Sequence, residues 1–400
     1  MADRDNKALR LRHRSRMHQV PIFLGKLVRS FVYMSDWKMI PMAAIIAAMV
    51  SMVVRKDYFL TMEGTLKGSF ALTCVAIWNG CFNSIQVICR ERSIIKREHR
   101  SGMHVSAYIF SHMIYQAFLC LAQSVTTVLV CSLCGVKFPA EGTVTPLLML
   151  DFSITLFFIS FASDMVSLLV SSIAHSTTAA MTVMPFVLIF QLVFSGGIFN
   201  LPAWAQNISN FTISNYGFKC LNAQADYNER PMVTGWSTLV KVQDQDIDVS
   251  FTLGEVIDTL HKGEQPAIKT LRETPIQLPD TGSAEVDAVA DYVSDLLTDK
   301  DGKPLTVGAL IDLAAESPTL AQYRDRQVSF SFKIGDVMDV IGRAKLQSYI
   351  QERTAATMYN ADYVCSRDNI IDYWTILVLF AIVFSAASVI VLEFIDKDKR

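Results

Sequence analysis

Long stretches without Asp, Glu, Lys or Arg constrain this chain more than any other feature. Residues 39–54, 68–89 and 373–392 form uncharged runs of 16, 22 and 20 residues. A helix needs roughly 20 mainly apolar residues to cross a bilayer. Each run therefore predicts one membrane-spanning helix.

Three further spans are predicted in the middle of the chain. Apolar sequence extends from about Val105 to Val136, from Val144 to Ser172 and from Ala179 to Phe199. The chain is 51% hydrophobic and its mean hydropathy is +0.31, which is typical of a polytopic membrane protein. We expect an all-α membrane domain of six transmembrane helices, with spans 1 to 5 in residues 39–200 and span 6 with a short tail in residues 372–400.

The distribution of Lys and Arg predicts the orientation of these spans. Residues 1–38 contain nine, the loops after spans 1 and 2 contain three and five, the loops after spans 3 and 4 contain one and none, and the tail after Glu393 contains three. Excess cationic charge marks the cytoplasmic side. We therefore expect a multi-pass plasma-membrane protein with both termini in the cytoplasm. Residues 1–16 would be a basic tail, either lying on anionic lipid or disordered.

Residues 201–371 form a large insertion that this topology places outside the cell. The insertion holds 15 Lys or Arg against 24 Asp or Glu, whereas the rest of the chain holds 21 against 14. The net charge of the whole chain is therefore near zero because an acidic insertion offsets a basic remainder. A structureless loop of this length is rare in a compact protein, so we expect the insertion to fold.

Three stretches of the insertion share one pattern of apolar residues, Gly and Asp. They are FTLGEVIDTL (Phe251–Leu260), LTVGALIDLA (Leu305–Ala314) and FKIGDVMDVI (Phe332–Ile341). The alternation before each Gly suits a strand, and the spacing after it suits an amphipathic helix. The pattern predicts an α+β extracytoplasmic domain of repeated strand-turn-helix units. The alternative is three unrelated helix starts with similar sequences.

The cysteines divide between the spans and the insertion. Six of the eight lie in predicted spans 2 and 3, where a thiol acts as a small apolar side chain. Cys220 and Cys365 lie near the ends of spans 5 and 6. In an oxidising compartment these two could form a disulfide that joins the ends of the insertion. Otherwise both are free thiols.

Motifs for catalysis are absent from the sequence. It contains no HExxH, no GxSxG and no GxxxxGK[ST] phosphate-binding loop. We therefore expect no catalytic residue, no metal site and no bound cofactor in this chain, and no nucleic-acid partner. Any work on a substrate would draw its energy from a partner protein or an ion gradient.

A charged stretch between spans 2 and 3 resembles part of a known family. A helix ending in QVICRER, a charged turn SIIKREHRSG and then a span are similar to the transmembrane domain of the G-subfamily of ABC transporters, which are white-pigment, sterol and multidrug half-transporters. The matching residues are the pair Glu91-Arg92, then Glu98 and Gly102. This chain departs from the family at His104, where Tyr is usual.

The resemblance continues on both sides of this stretch. FVLIFQLVFSGGIFNLPAWAQNISNFTISNYGFKCLNAQADYNE is similar to the family's span 5, Phe-Ser-Gly turn and re-entrant helix, and residues 17–38 fit its amphipathic connecting helix. The matched motifs cover about residues 17–228 and the last span. No nucleotide-binding domain precedes the connecting helix, so the resemblance implies a separate ABC ATPase subunit that binds ATP and Mg, together with a second permease subunit in a homo- or heterodimer. The insertion is also longer than is usual in the family.

The resemblance implies that residues 90–104 form a cytoplasmic coupling loop. In the family this loop is a short helix seated in a groove of the ATPase, so that nucleotide-driven closure moves the spans. The implied coupling residues are Glu91, Arg92, Arg97, Glu98, Arg100 and Gly102. Mixed charge would fix the register of this contact. Alternatively, the basic residues only keep the loop on the cytoplasmic side of the membrane. This alternative does not explain the two glutamates.

The resemblance also implies a transport cavity between spans 2 and 5 on the dimer axis. The matching positions are Trp78, Phe82, Asn83, Gln86, Leu188, Ile189, Leu192 and Val193. A largely apolar lining suggests a hydrophobic or amphipathic cargo, although each of these side chains could instead face lipid or pack in the core. Ile198 would close the outer end of the cavity as an outer gate.

Two polar residues lie inside predicted spans. An ionised Asp164 in span 4 is costly in a membrane. It could pair with His112 or Gln116, have a protonatable role, or lie near the inner interface with hydrogen bonds to neighbouring serines. Gln191 in span 5 could form a hydrogen bond between helices or contact cargo.

These observations predict a permease subunit of an ATP-driven ABC exporter. It would move a lipid, drug or peptide by alternating access, and its external domain would shape the exit or bind cargo, lipid or an extracytoplasmic partner. The alternative is a six-span receptor or immunity protein whose external domain senses a peptide or lipid. An ion-coupled carrier is less favoured, because the spans hold few ionisable residues and show no inverted repeat.

Overall fold

The protein contains two compact units. One comprises Met1–Trp236 with Ser348–Arg400, and the other comprises Ser237–Gln347. The computed structural model describes residues 15–33, 36–197, 202–263, 266–274, 306–316, 318 and 323–394. The predicted outer gate Ile198, most of the predicted basic tail and the last six residues of the chain lie outside the described residues.

Helices make up the first unit. They are α1 (Arg16–Tyr33), α2 (Met39–Val54), α3 (Met62–Ser84), α4 (Val87–Arg100), α5 (Val105–Leu133), α6 (Leu148–Ile173), α7 (Thr177–Val193), α8 (Ala203–Ser209), α9 (Ile213–Gln224) and the last helix, α16 (Arg367–Glu393). Helices α10 (Thr234–Lys241) and α15 (Arg343–Met358) contain the two boundaries between the units.

Five helical segments are long and apolar enough to cross a membrane. They are Asp36–Val54, Met62–Arg100, Val105–Leu133, Leu148–Ile173 and Arg367–Glu393. These segments contain predicted spans 1 to 4 and 6. The predicted fifth span corresponds to α7, an apolar helix of 17 residues that is shorter than the others. The described residues therefore form a multi-pass helical membrane protein with five helices of full membrane length.

Helices α3 and α6 form the centre of the first unit and approach each other closely. A Cβ atom at Gly80 would come within 2.1 Å of the carbonyl oxygen of Ser160. The hydroxyl of Ser160 donates to the carbonyl oxygen of Ala76 at 2.8 Å, and that of Ser163 donates to Ile77 at 3.0 Å. Small residues permit such an approach in membranes, where serine hydroxyls supply hydrogen bonds between helices.

Both cysteines of the predicted disulfide are free thiols in the structure. Cys220 on α9 is fully buried, with its Sγ 3.6 Å from Thr155 Oγ1 of α6. Cys365 is exposed just before α16, with its Sγ 3.2 Å from Thr143 Oγ1. Each thiol thus packs against a different threonine, and the predicted bridge is not formed.

The second unit contains a two-stranded antiparallel sheet followed by helices. Its described elements are β1 (Asp246–Thr252), α11 (Leu253–Lys262), α12 (Pro266–Glu273), α13 (Val307–Glu316), β2 (Gln327–Lys333) and α14 (Ile334–Ile341). Asp246 lies opposite Lys333, and Thr252 lies opposite Gln327. Each strand runs directly into a helix, as predicted for the first and third repeated stretches. In the second stretch the described residues form helix α13.

The glycine of each repeated stretch lies where the backbone meets another segment. The N–H of Gly254 donates to the carbonyl oxygen of Arg324 at 2.9 Å, and that of Gly335 donates to Gln243 at 2.8 Å. A Cβ atom on either glycine would lie 3.2 Å from the same oxygen, and one on Gly308 would lie 2.9 Å from another carbonyl oxygen. The repeated pattern therefore reflects a repeated backbone contact, which three unrelated helix starts would not require.

The aspartate of each repeated stretch is bound by an arginine. The pairs are Asp258–Arg324, Asp312–Arg272 and Asp339–Arg343. Both carboxylate oxygens of Asp312 accept hydrogen bonds from Arg272, at 2.8 and 2.9 Å. These hydrogen bonds hold the pKa of Asp312 below its usual value. In the first two stretches this arginine is also the residue whose carbonyl oxygen meets the glycine, whereas Arg343 lies four residues after Asp339.

Candidate functional site

The charged stretch after α3 is helical along its whole length. Helix α3 ends at Ser84, the backbone turns at Ile85 and Gln86, and α4 then extends to Arg100. The sequence motif predicted a helix through Arg92 with a charged turn after it, whereas the family resemblance implied a short helix within residues 90–104. The structure has the turn before the charges and a helix through them. The turn precedes the charges because the charged stretch has its own apolar face, which packs on the protein.

Helix α4 is amphipathic, with a buried face and an exposed basic face. The residues Ile88, Cys89 and Ile95 are buried. The exposed residues are Arg90, Ser93, Ile94, Arg97 and Arg100. Their spacing of three and four residues places them on one side of the helix. This exposed basic face of α4 carries three arginines and no carboxylate.

The predicted coupling residues divide between the exposed face and the protein. Glu91 Oε2 forms an ion pair with Lys26 of α1 at 3.1 Å. Arg92 Nη1 donates to two carbonyl oxygens at the C-terminal end of α6, at 2.9 and 3.1 Å. One carboxylate oxygen of Glu98 is buried and has no hydrogen-bond partner among the described residues. Two of the predicted residues therefore fasten α4 to α1 and α6, and neither glutamate lies on the exposed basic face.

The turn between α4 and α5 depends on Gly102 and on a residue that sequence reasoning missed. Gly102 has φ of 98°, in the left-handed region that favours glycine. Buried Gln19 of α1 donates from Nε2 to the Gly102 carbonyl oxygen at 3.2 Å and accepts the His104 backbone N–H at 2.9 Å. The local sequence around Gln19 does not indicate this role, because its hydrogen-bond partners lie 83 and 85 residues away in the chain.

The predicted transport-cavity residues do not form a single cavity within one chain. In a narrow cleft between α3 and α7 lie Trp78, Leu188 and Leu192. In a second cavity lie Phe82, Asn83 and Gln86. Ile189 is 59% exposed and, like Val193, lines neither cavity. The structure thus divides the predicted residues into two groups, one between α3 and α7 and one around the end of α3.

The second cavity is partly polar and has a volume of about 200 Å³. Residues of α1, α2, α3, α4, α5 and α7 line it. On α5, His112 and Gln116 are each only 1% exposed. Both ring nitrogens of His112, Gln116 Oε1 and the Tyr115 hydroxyl have no hydrogen-bond partner among the described residues. Residues with buried polar atoms that lack a hydrogen-bond partner among the described residues therefore line this polar cavity.

The two intramembrane polar residues have different surroundings. Both carboxylate oxygens of Asp164 are buried without a hydrogen-bond partner in the described part of the chain. The described residues therefore show no hydrogen bond between Asp164 and His112 or Gln116. Gln191 Oε1 accepts the backbone N–H of Ser214 at 3.1 Å and joins α7 to α9. This contact is the predicted hydrogen bond between helices.

Residues 18–224, which run from the connecting helix α1 to the end of α9, match the family of ABC-2 type transporters. The match covers more than half of the chain, and the chain therefore belongs to this family. Its members are permease components of ABC transporters. The chain accordingly contains the multi-pass membrane permease of an ABC transporter, a class in which an ATPase works with the permease.

A curated relative extends this comparison. Over 159 residues the chain is 30% identical to the ABC transporter ATP-binding/permease protein Rv1747 of Mycobacterium tuberculosis (strain ATCC 25618 / H37Rv). The matched region covers 38% of this chain and 18% of that protein. The chain therefore corresponds to a minor part of a relative whose name includes both an ATP-binding and a permease function.

Proposed function

We propose that the chain is the permease subunit of an ATP-driven exporter of a hydrophobic or amphipathic cargo. Two permease subunits would form the working transport path, and ATP and Mg would bind to an ATPase supplied from outside these 400 residues. Closure of the ATPase would move α4, and α4 would move the spans. The external second unit would shape the exit or bind cargo, lipid or an extracytoplasmic partner.

The observation that supports this proposal best is the exposed basic face of α4. Helix α4 follows the central helix α3 after a two-residue turn. It is also attached to α1 by Glu91 and to α6 by Arg92. A force applied to the exposed face of α4 would therefore reach three helices of the membrane domain. An ATPase that docks here would present carboxylates to Arg97 and Arg100.

The exposed apolar face of α7 supports the proposal of a second permease subunit. Val183, Phe186 and Phe190 are 43, 70 and 42% exposed on one side of this helix. A face of this kind in a membrane protein contacts either lipid or another subunit. In a dimer it would lie beside the cleft of Trp78 and Leu192, and together they would form the apolar wall of the transport path.

The first test reverses the charge of the exposed basic face. The variant is Arg97→Glu with Arg100→Glu, in a chain purified from its native host in mild detergent. We expect loss of the co-purifying ATPase, or at least about a tenfold fall in stimulated ATP hydrolysis, because like charges opposed in an interface cost several kcal/mol. Glu98 is unsuitable for this test because its carboxylate is partly buried.

The matched control is Arg55→Glu with Lys56→Glu, which makes the same charge change at two exposed residues after α2. The control should retain the ATPase and its stimulation. Equal behaviour of the two variants would contradict docking at α4. Absence of any ATPase from the wild-type preparation would favour the receptor alternative.

A further inference from the structure

We propose that the first unit binds a phospholipid with a primary ammonium headgroup, in the polar cavity and in an adjoining groove formed by α1, α2 and α5. The headgroup would occupy the polar cavity, and an acyl chain would occupy an apolar groove beside it. This binding requires no ATPase and no second subunit. It can therefore be tested independently of the proposed export function.

The apolar groove lies between α1, α2 and α5 and has a volume of about 260 Å³. Its lining comprises Leu24, Val28, Phe31, Ile40, Tyr115, Phe118, Leu119 and Ala122. The Tyr115 hydroxyl is the single polar side-chain group in this lining. A groove between membrane helices with such a lining accommodates hydrocarbon, and the surrounding bilayer supplies it.

The polar cavity shares two lining residues, Tyr115 and Leu119, with the apolar groove. The two spaces therefore adjoin at these two side chains. The Tyr115 ring packs edge-on against Phe31, with ring centroids 6.4 Å apart. A molecule that fills both spaces must have a polar end and an apolar end, as a membrane lipid has.

Unpaired polar atoms indicate that the polar cavity takes a hydrogen-bonding ligand. His112 and Gln116 are almost completely buried, yet the imidazole nitrogens and Gln116 Oε1 have no partner among the described residues. A buried polar group without a partner destabilises the folded protein. Three such atoms in one cavity lining are explained if a ligand donates to and accepts from them.

The charges in the lining select the headgroup. Asp36 and Glu91 contribute carboxylates, and Arg90 contributes a guanidinium group. The phosphate diester of a phospholipid would accept from Arg90 and from the imidazole N–H. A primary ammonium group would donate to a carboxylate and to Gln116 Oε1. A choline headgroup has no N–H to donate, and a glycerol headgroup carries no positive charge, so both would bind less well.

Native mass spectrometry of the full chain tests the proposal. Detergent-purified, delipidated protein is titrated with phosphatidylethanolamine, phosphatidylcholine and phosphatidylglycerol of identical acyl chains. We expect one tightly bound phosphatidylethanolamine, with a Kd about tenfold lower than that of either other lipid. Equal binding of the three lipids would overturn the proposal, because it would indicate annular lipid only.

A second measurement locates the lipid through its acyl chain. Phosphatidylethanolamine with a photoreactive acyl chain should cross-link to α5 near Phe118 and Ala122. Ala122→Trp, which fills the groove, should remove most of this cross-link and weaken binding severalfold. Leu129→Trp is the control, since Leu129 is 50% exposed on the same side of α5 but outside the groove. Cross-links spread over the exposed faces of α2 and α16, or unaffected by Ala122→Trp, would overturn the proposal.

Discussion

A single buried glutamine holds the connecting helix against the turn that follows the charged helix. Gln19 of α1 makes two hydrogen bonds to backbone atoms of the α4–α5 turn, at Gly102 and His104. Because the side chain is 8% exposed, water replaces these bonds poorly when they are lost. Gln19 therefore couples the position of α1 to that of α4.

Gln19→Leu should destabilise the protein and weaken coupling. The change leaves two backbone groups without their partner, at a cost of about 1–3 kcal/mol. We expect a thermal unfolding midpoint several degrees lower in detergent, together with reduced stimulation of the partner ATPase. Met17→Leu on the same helix is the control, because Met17 is 76% exposed. Similar midpoints for the two variants would show that Gln19 does not fix this turn.

At the scale of elements, the close contact of α3 and α6 dominates the first unit. The two helices meet through Gly80 and the serines of α6, which donate hydroxyl hydrogen bonds to carbonyl oxygens of α3. A backbone carbonyl oxygen cannot move aside as the end of a long side chain can. The distance between these helices is therefore set by the absence of a side chain at Gly80.

Gly80→Ala and Gly25→Ala should change stability in opposite directions. The new methyl group at residue 80 would overlap the Ser160 carbonyl oxygen and force the helices apart, at a cost of about 1–3 kcal/mol or more. At Gly25 of α1 no atom lies within 4 Å of the new methyl group. Alanine there should stabilise the helix by up to about 1 kcal/mol.

Thermal unfolding of the two variants in the same detergent measures this difference. We expect a lower midpoint or poor expression for Gly80→Ala and an equal or higher midpoint for Gly25→Ala. A Gly80→Ala protein as stable as the wild type would mean that α3 and α6 separate without loss, in conflict with the tight packing of this pair.

At the scale of the whole molecule, the orientation in the membrane remains a prediction from the Lys and Arg distribution. The exposed thiol of Cys365, just before α16, provides a natural reporter for it. Partial burial of the thiol removes water around it and raises its pKa above the ordinary value. Since the thiolate is the reactive form, its alkylation should be slow at neutral pH and accelerate as the pH rises to 9 and beyond.

A membrane-impermeant maleimide should label Cys365 in intact cells without prior reduction. We expect no labelling in Cys365→Ser, and little at Cys220, which is completely buried. Labelling that requires permeabilised cells would place this segment on the cytoplasmic side and overturn the predicted orientation. Labelling that occurs only after treatment with a reducing agent would show that Cys365 forms a disulfide, in contrast to the free thiol in the structure.

Much of the architecture followed from local properties of the sequence. Uncharged runs and mainly apolar stretches located the five membrane-length helices, because the bilayer imposes a length on any segment that crosses it. The repeated Gly and Asp predicted the strand-helix order at β1–α11 and β2–α14, because turns and helix starts depend on a few neighbouring residues. The family resemblance also agreed with the later match to ABC-2 type transporters.

The candidate site was less predictable, because its side chains acquire their roles from distant partners. Sequence reasoning selected Glu91, Arg92 and Glu98 as coupling residues, but it could not predict that they lie away from the exposed basic face of α4. That assignment depends on Lys26 of α1 and on the end of α6, which only folding brings near. The division of the cavity residues into two groups likewise depends on how α3 packs against its neighbours.

By itself, the sequence determined that this chain is a helical membrane protein with a folded, acidic insertion, since hydropathy, charge and short repeats are properties of contiguous residues. The tertiary structure alone decided which charges of α4 remain exposed, which polar atoms of α5 line a cavity and that Gln19 joins α1 to the turn after α4. Those properties arise from contacts between residues far apart in the chain, and no local pattern encodes them.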